Sequence, residues 1–164
     1  MANLPMYWKS AAPPFLGSQT SGIFQSIAAP TVAGQEMEAL VSDINQGGRL
    51  RAVLRVEGDG RRLSPDLELA AYRISQEAVQ NAVRHAAATE LTVTVAFAPD
   101  SVVLCIADNG IGFEPPANPA DLTRAGHFGL MGIRERALLL GGRLEINGKP
   151  GSGTLLTIHL PDKP

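Results

Sequence analysis

The hydrophobic and polar positions of this chain follow two different periods from residue 35 onward. Strict apolar–polar alternation is typical of strands, whereas apolar residues three and four positions apart are typical of helices that face a core. On this basis, helices are predicted at residues 35–45, 65–87 and 130–140. Strands are predicted at residues 50–56, 90–97, 101–107, 143–147 and 154–160. The second and third strands are joined by a short turn, as are the last two, so each pair is expected to be antiparallel.

The predicted helix at residues 65–87 carries polar residues beside its buried stripe. Ser64, followed by a proline, is a suitable N-cap that marks the helix start. At about 100° per residue, one sector of the helix is apolar, and it comprises Leu67, Ala71, Ile74, Ala78 and Ala82. Glu77, Asn81 and Arg84 share an adjoining sector and can point into one cleft, although their spacing equally suits a solvated face with i,i+4 pairing. His85 lies nearer the stripe, where a lone histidine is typically structural.

A glycine-rich turn follows the strand at residues 101–107. Asp108 ends that strand, and Gly110 and Gly112 come directly behind it. Glycine has no Cβ, so the backbone can turn sharply and another group can approach closely. An ionised carboxylate can only accept hydrogen bonds, so a buried Asp108 would suit the amino edge of a purine. A strand-end turn without a ligand remains the alternative for this motif alone.

Residues 114–127 show neither the helical nor the strand period of apolar residues, because prolines and a glycine interrupt both. A long aperiodic loop inside a compact domain is usually functional or mobile, and we interpret this one as a lid. The glycines of residues 126–132 then open a helix. Free N–H groups and the positive dipole end of such a helix start are suited to binding phosphate.

Composition narrows the classes of function. The chain has 164 residues, 45% of them hydrophobic, with a formal net charge of −2 and scattered basic residues, which argues against a nucleic-acid surface. The single cysteine, Cys105, cannot form an internal disulfide and is expected to be a small buried hydrophobe. No apolar run approaches the roughly 20 residues that cross a bilayer, and no secretory signal is visible, so a cytoplasmic location is expected.

The domain is predicted to span residues 35–164. Residues 1–34 are rich in Ala, Pro, Ser, Gly and Thr, and are expected to be a flexible tail or a linker remnant. Their scattered aromatic and aliphatic residues leave open that the segment docks on the domain or on a partner.

Four motifs occur in a fixed order: Glu-x-x-x-Asn on a helix, Asp-x-Gly-x-Gly after a strand, Gly-x-x-Gly opening a helix, and Gly-Thr starting the last strand. This order resembles the ATP-binding (Bergerat) fold shared by sensor histidine kinases, DNA gyrase B, MutL and the heat-shock chaperone ATPases. Residues 72–86 and 126–137 are most similar to the catalytic ATP-binding domain of kinases that act on LuxR-type response regulators. The resemblance covers about residues 36–162. It implies an α/β (α+β) two-layer sandwich with a mixed, largely antiparallel sheet and helices packed on one face.

The resemblance also implies roles for individual residues. Glu77 would be catalytic, polarising an attacking group or a metal-bound water, and Asn81 would give an oxygen to Mg²⁺. Asp108 would accept from the adenine amino group. The other residues expected to bind or shape the ATP site are Arg84, His85, Gly110, Gly112, His127, Gly129, Leu130, Gly132 and Thr154. The loop at residues 114–127 would order over the nucleotide.

The chain departs from a complete sensor kinase in its histidines. His85 and His127 fall inside the nucleotide motifs and His159 lies on the last strand, so none sits on a helical hairpin that accepts phosphate. The expected activity is therefore transfer from Mg-ATP to a histidine of a separate dimerisation and phosphoacceptor domain, in the same or another chain, with a response regulator downstream. The chain is either a fragment of a longer kinase or a stand-alone module. An anti-sigma-factor-type serine kinase and a nucleotide-binding module without transfer activity remain alternatives.

Overall fold

The computed structural model describes residues 32–124 and 126–162, so the predicted tail lies outside the described residues except for its last three positions. The helices are α1 (Val32–Gln46), α2 (Pro65–Asn81) and α3 (Phe128–Leu139). The strands are β1 (Arg51–Glu57), β2 (Glu90–Ala98), β3 (Ser101–Asp108), β4 (Arg143–Gly148) and β5 (Thr154–Pro161). A π-helical turn (Ala82–Ala86) extends α2, and a short 3-10 helix (Pro119–Leu122) lies before α3. Each predicted helix and strand is therefore present.

The five strands form one sheet in the order β1-β2-β3-β5-β4. β1 and β2 are parallel, and the other three pairs are antiparallel, which confirms a mixed, largely antiparallel sheet. The antiparallel register places Thr154, at the start of β5, opposite Asp108 at the end of β3. Two residues of the predicted site thus share one end of the sheet.

One face of the sheet forms the core together with the helices. Alternate residues of the central strands point to this face, as the pleat requires, and the buried ones are Leu91, Val93, Val102, Leu104, Ile106, Leu156, Ile158 and Leu160. The predicted stripe of α2 is buried against them at every position. Met37 of α1 and Ile133 of α3 complete the same core. The two-layer sandwich with helices on one face is confirmed.

The start of α2 follows from its sequence. The Ser64 side-chain oxygen accepts from the backbone N–H of Leu67 at 3.4 Å, and Pro65 is the first helical residue. Asp66 and Glu68 lie in the first turn, where negative charge is stabilised by the helix dipole.

The end of α2 differs from a regular helix. Its continuation, Ala82–Ala86, is a π-helical turn, and Ala87 then adopts a left-handed conformation with φ of 48°. Single π-helical turns are frequent at functional sites because they shift the groups that follow them. Side-chain periodicity does not reveal such a turn, so the sequence predicted only that the helix continues to residue 87.

Cys105 confirms its predicted structural role. The side chain is 3% exposed, and burial raises the pKa of its thiol to about 11. A thiol with this pKa is protonated at neutral pH and is correspondingly unreactive. In the described part of the chain, no helix combines the length and apolarity needed to span a membrane.

Candidate functional site

The first turn of α3 packs directly on the polar flank of α2. A Cβ built on Gly129 would lie 2.5 Å from Glu77 Oε1 and 2.8 Å from Asn81 Oδ1. Any side chain at this position would push the ends of both side chains aside, so the observed arrangement of Glu77 and Asn81 depends on glycine. Glu77 and Asn81 are half-buried, which excludes a fully solvated face for this part of α2. The fold therefore joins two motifs that are far apart in the sequence.

Asn81 has an unsatisfied polar atom at this contact. Its side-chain nitrogen is buried and has no hydrogen-bond partner among the described residues. Leaving a buried donor unpaired costs about 1–3 kcal/mol, so such groups call for an explanation. A polar ligand that enters between α2 and α3 would supply the missing partner.

The same pair of residues fits a hard cation. Mg²⁺ prefers oxygen ligands and commonly keeps water and substrate phosphates in its coordination sphere. Asn81 offers an amide oxygen, and Glu77 offers a carboxylate one helical turn earlier. Among residues 32–124 and 126–162, no group of three or more His, Cys, Asp and Glu side chains is placed to hold a metal ion.

Asp108, the residue expected to meet the base, lies buried at the end of β3, with 7% of its surface exposed. Its Oδ1 accepts from the backbone N–H of Gly110 at 2.8 Å, and the carboxylate also accepts from the backbone N–H of Thr154. Burial raises the pKa of this carboxyl above its ordinary value, and the two N–H donors partly oppose the shift. The result is a desolvated acceptor in a fixed orientation.

Backbone contacts hold the turn after Asp108 on both sides. The N–H of Ile111 donates to the carbonyl of Ala86 at 2.7 Å, and a Cβ on Gly110 would collide with that same carbonyl. Gly112 has a φ of 61°, and a Cβ there would lie 2.7 Å from the carbonyl oxygen of Gly153. The two glycines are therefore required because the backbones of the π-helical turn and of the β4–β5 turn pack closely on the backbone that follows Asp108.

The start of α3 is open to a ligand. His127 precedes the helix without a side-chain cap, so no side chain of that residue satisfies the first N–H groups. The helix begins at Phe128, two residues before the predicted start, which places Gly129 and Leu130 in its first turn. Leu130 is buried, so its backbone is the part that could meet a phosphate. Gly132 lies one turn further along.

The remaining predicted residues are placed less centrally. Arg84 and His85 are exposed on the π-helical turn after Asn81, so a buried structural role for His85 is wrong. The His127 ring is half-buried and lies 4.6 Å from the Phe113 ring, centroid to centroid. Among the described residues, the structure thus brings together Glu77, Asn81 and Gly129 on one side, and Asp108, Gly110, Gly112 and Thr154 on the other.

The loop interpreted as a lid contains an anchor that sequence analysis missed. Leu122 is fully buried, and its carbonyl accepts from the N–H of His127 at 2.8 Å. The only sequence signal was one large aliphatic residue in a stretch of proline, asparagine and charge, which periodicity does not capture. Leu122 is consequently a point at which the described part of the loop is fixed to the core.

The fold is a sandwich with helices on one face of the sheet. It combines a buried acceptor at a strand end with an uncapped helix start that lies beside the polar flank of another helix, and these features define a class of protein. The chain belongs to the family described as histidine kinase-, DNA gyrase B-, and HSP90-like ATPases, which matches residues 66–164. The resemblance seen in the sequence motifs is thereby confirmed.

The similar proteins are also named as histidine kinases. The chain is 42% identical over 105 residues to the "Signal transduction histidine-protein kinase/phosphatase DegS" of Bacillus subtilis (strain 168), covering 64% of this chain and 27% of that protein. It is 41% identical over 104 residues to an "Uncharacterized sensor-like histidine kinase" of Chloroflexus aurantiacus, covering 63% of this chain and 17% of that protein. The matched segment thus spans about a quarter or less of these relatives.

Solved structures agree on the fold. The ATP-binding domain of PrrB from Mycobacterium tuberculosis aligns with a TM-score of 0.62 at 21% identity, covering 79% of this chain and 93% of that one. Full-length ShkA in complex with AMPPNP aligns with a TM-score of 0.65 at 21% identity, covering 86% of this chain and 32% of that one. At this level of identity the agreement concerns the fold.

Proposed function

We propose that this domain binds Mg-ATP and donates the γ-phosphoryl group to a histidine of a separate dimerisation and phosphoacceptor domain in two-component signalling. Two observations carry the proposal: Gly129 lies close to Glu77 and Asn81, and the buried side-chain nitrogen of Asn81 has no partner among the described residues. The family and the kinase names of the relatives support the same reading.

In this proposal the adenine base lies against Asp108. The carboxylate accepts from the exocyclic amino group, and the N–H donors of Gly110 and Thr154 keep it oriented. Gly112 lets the β4–β5 turn close the pocket without a side chain in between. Because the acceptor is desolvated, its hydrogen bond to the base is stronger than one made in water.

The triphosphate lies between α2 and α3. The first N–H groups of α3, at Gly129 and Leu130, point toward it, and Gly132 keeps the next turn free of a side chain. Asn81 and Glu77 would hold Mg²⁺, directly or through water, and the ion would neutralise charge on the phosphates. Arg84, His85 and His127 supply further polar or positive groups around the phosphates.

Glu77 has the catalytic role in this proposal. Its carboxylate lies at the meeting point of α2 and α3, where it can polarise the attacking imidazole or a water. Positioning and charge neutralisation supply most of the rate in phosphoryl transfer, so the placement of this pair beside the phosphates would be the main contribution of the domain.

The partners follow from the same chemistry. The acceptor is a histidine on a helical domain, in the same or another chain, and a response regulator, of the LuxR type by resemblance, takes the phosphoryl group next. Both steps belong to the cytoplasm, where ATP and response regulators are found. DegS is named as a kinase and phosphatase, which agrees with a domain that hands phosphoryl groups to a histidine.

The test uses labelled ATP, this domain and purified helical-hairpin domains that carry a candidate histidine. The proposal predicts an acid-labile label on the hairpin that Glu77→Gln strongly reduces. Acid-stable label on a serine would instead support an anti-sigma-factor-type kinase. Tight ATP binding without any label on the acceptors would reduce the domain to a nucleotide-binding module.

A further inference from the structure

The side chain of Asn109 clamps the turn that follows Asp108. Its Oδ1 accepts from the backbone N–H groups of Thr89 and Glu90, both at 2.9 Å. Its Nδ2 donates to the Thr89 hydroxyl oxygen at 3.0 Å, and its backbone N–H donates to the Glu90 carbonyl at 3.2 Å. All of these bonds are directed to two consecutive residues, Thr89 in the connection that follows the π-helical turn and Glu90 at the start of β2.

The clamp acts at the point where the two sides of the site join. The Ile111 N–H donates to the carbonyl of Ala86, at the end of the π-helical turn. The turn that follows Asp108 is therefore held at two of its residues, Asn109 and Ile111. Leu91, just beyond the clamped residues, pairs with Asp108 in the sheet. The Asp108 carboxylate accepts from the N–H of Gly110, which directly follows the clamped Asn109, so the clamp supports one of the two donors that orient the carboxylate.

We propose that Asn109 is a positioning residue for recognition of the adenine base. Its side-chain atoms bond within the protein, so it acts through Asp108 by fixing where the carboxylate meets the exocyclic amino group. This inference rests on the proposed function, since it assumes that Asp108 receives the base. Through Asp108, Asn109 would affect the binding preference between a purine with an amino group and a purine with a carbonyl group at the same ring position.

Asn45 provides a matched control. Its side chain forms a similar clamp at the α1–β1 junction, accepting from the Ala52 N–H at 2.8 Å and donating to the Ala52 carbonyl at 2.9 Å. Asn45→Ala and Asn109→Ala thus remove comparable bonds between a side chain and the backbone. Only the second of these lies next to Asp108.

The experiment measures dissociation constants for ATP and for inosine triphosphate (ITP), together with thermal unfolding, in the parent, Asn109→Ala, Asn109→Asp, Asn45→Ala and Asp108→Asn. We expect Asn109→Ala to lower the preference for ATP over ITP by about tenfold, because the turn that carries the Gly110 N–H donor loses its side-chain hydrogen bonds. Asn109→Asp keeps the oxygen acceptor and should restore most of the preference. Asn45→Ala should lower the unfolding temperature and leave the preference intact.

A preference unchanged in Asn109→Ala, or lowered equally by Asn45→Ala, would overturn the inference. If Asn109→Ala does not fold, Thr89→Val removes only the hydroxyl partner and must lower the preference in the same direction. A failure of the proposed function looks different, because the parent would then show no preference for ATP, or Asp108→Asn would leave that preference unchanged.

Discussion

Asp108 and Asn81 both place polar groups in the interior of the site, yet their hydrogen bonding differs. Asp108 ends a central strand, and backbone donors from Gly110 and Thr154 already hold its carboxylate. Asn81 lies at the end of α2, and its buried amide nitrogen has no partner among the described residues. In the proposed site, the base side would thus be organised before a ligand arrives, whereas the phosphate side would carry an unsatisfied group that a ligand can satisfy.

The difference has a physical origin. A strand end in a sheet is fixed on both sides by ladder hydrogen bonds, and β3 has β2 and β5 as neighbours. The phosphate side combines the Asn81 side chain with the start of α3, where the first N–H groups have no partner within the helix. A site that binds nucleotide from both sides can therefore select the base with a rigid acceptor and draw in the phosphates with unsatisfied donors.

The largest effect is expected for Gly129→Ala. The added methyl would lie 2.5 Å from Glu77 Oε1 and 2.7 Å from Asn81 Nδ2, so both side chains must shift from the positions proposed to hold Mg²⁺. We expect a loss of about 1–3 kcal/mol in the free energy of unfolding, as is typical of overpacking, and loss of detectable ATP binding. Thermal unfolding and calorimetric titration measure both quantities. Gly60→Ala is the control, because its nearest neighbour would be 3.9 Å away.

Asp108→Asn should produce the next largest effect. Replacing a charged acceptor with an amide should weaken ATP binding by about ten- to a hundredfold, because hydrogen bonds to charged groups are worth about 1.5–3 kcal/mol. The loss should be the same with and without Mg²⁺, since the base and not the phosphates is affected. A loss seen only when Mg²⁺ is present would place Asp108 on the wrong side of the site.

Asn81→Ala should distinguish the proposed phosphate side from the proposed base side most clearly. We expect it to remove most of the Mg²⁺ dependence of ATP binding while the ligand-free protein keeps or gains stability. The stability follows because the substitution removes an unpaired buried donor and introduces the best helix former. A clear drop in the unfolding free energy of the ligand-free protein would show that the Asn81 amide is satisfied in solution.

A smaller effect concerns pH. Burial raises the pKa of Asp108 above 3.8, so the folded state holds the proton more tightly than the unfolded state does. Its contribution to stability is therefore complete below the unfolded pKa and is lost as the pH rises through the folded value. Relative to Asp108→Asn, the parent should become less stable over that interval, and its ATP affinity should rise as the carboxyl ionises. Denaturant unfolding and ATP titrations at several pH values, on both proteins, measure these differences.

Much of the fold was predictable because its elements follow simple periods. The stripe of α2 from Leu67 to Ala82 and the alternation in β3 each match the face that is buried in the structure. Ser64 and the proline after it predicted the start of α2 correctly. The order of all five strands in the sheet was not predicted, because periodicity alone does not say which strands are neighbours; only the two pairs joined by short turns were expected.

Other features depend on contacts between distant parts of the chain. The π-helical turn and the left-handed conformation of Ala87 have no local sequence signal. They accompany a tertiary contact in which the carbonyl of Ala86 accepts from the turn after Asp108. The Asn109 clamp involves Thr89 and Glu90, which no local pattern connects to it. Leu122 was missed because a single buried residue in a loop has no period.

The most direct test follows side-chain and backbone amide resonances by NMR while Mg-ATP is added. We predict that the Asn81 side-chain amide and the Gly110 backbone amide both shift along one saturable curve with a single dissociation constant, because both groups border one ligand. Shifts at only one of these two amides, or two curves with different dissociation constants, would contradict a single nucleotide site formed by the two sides.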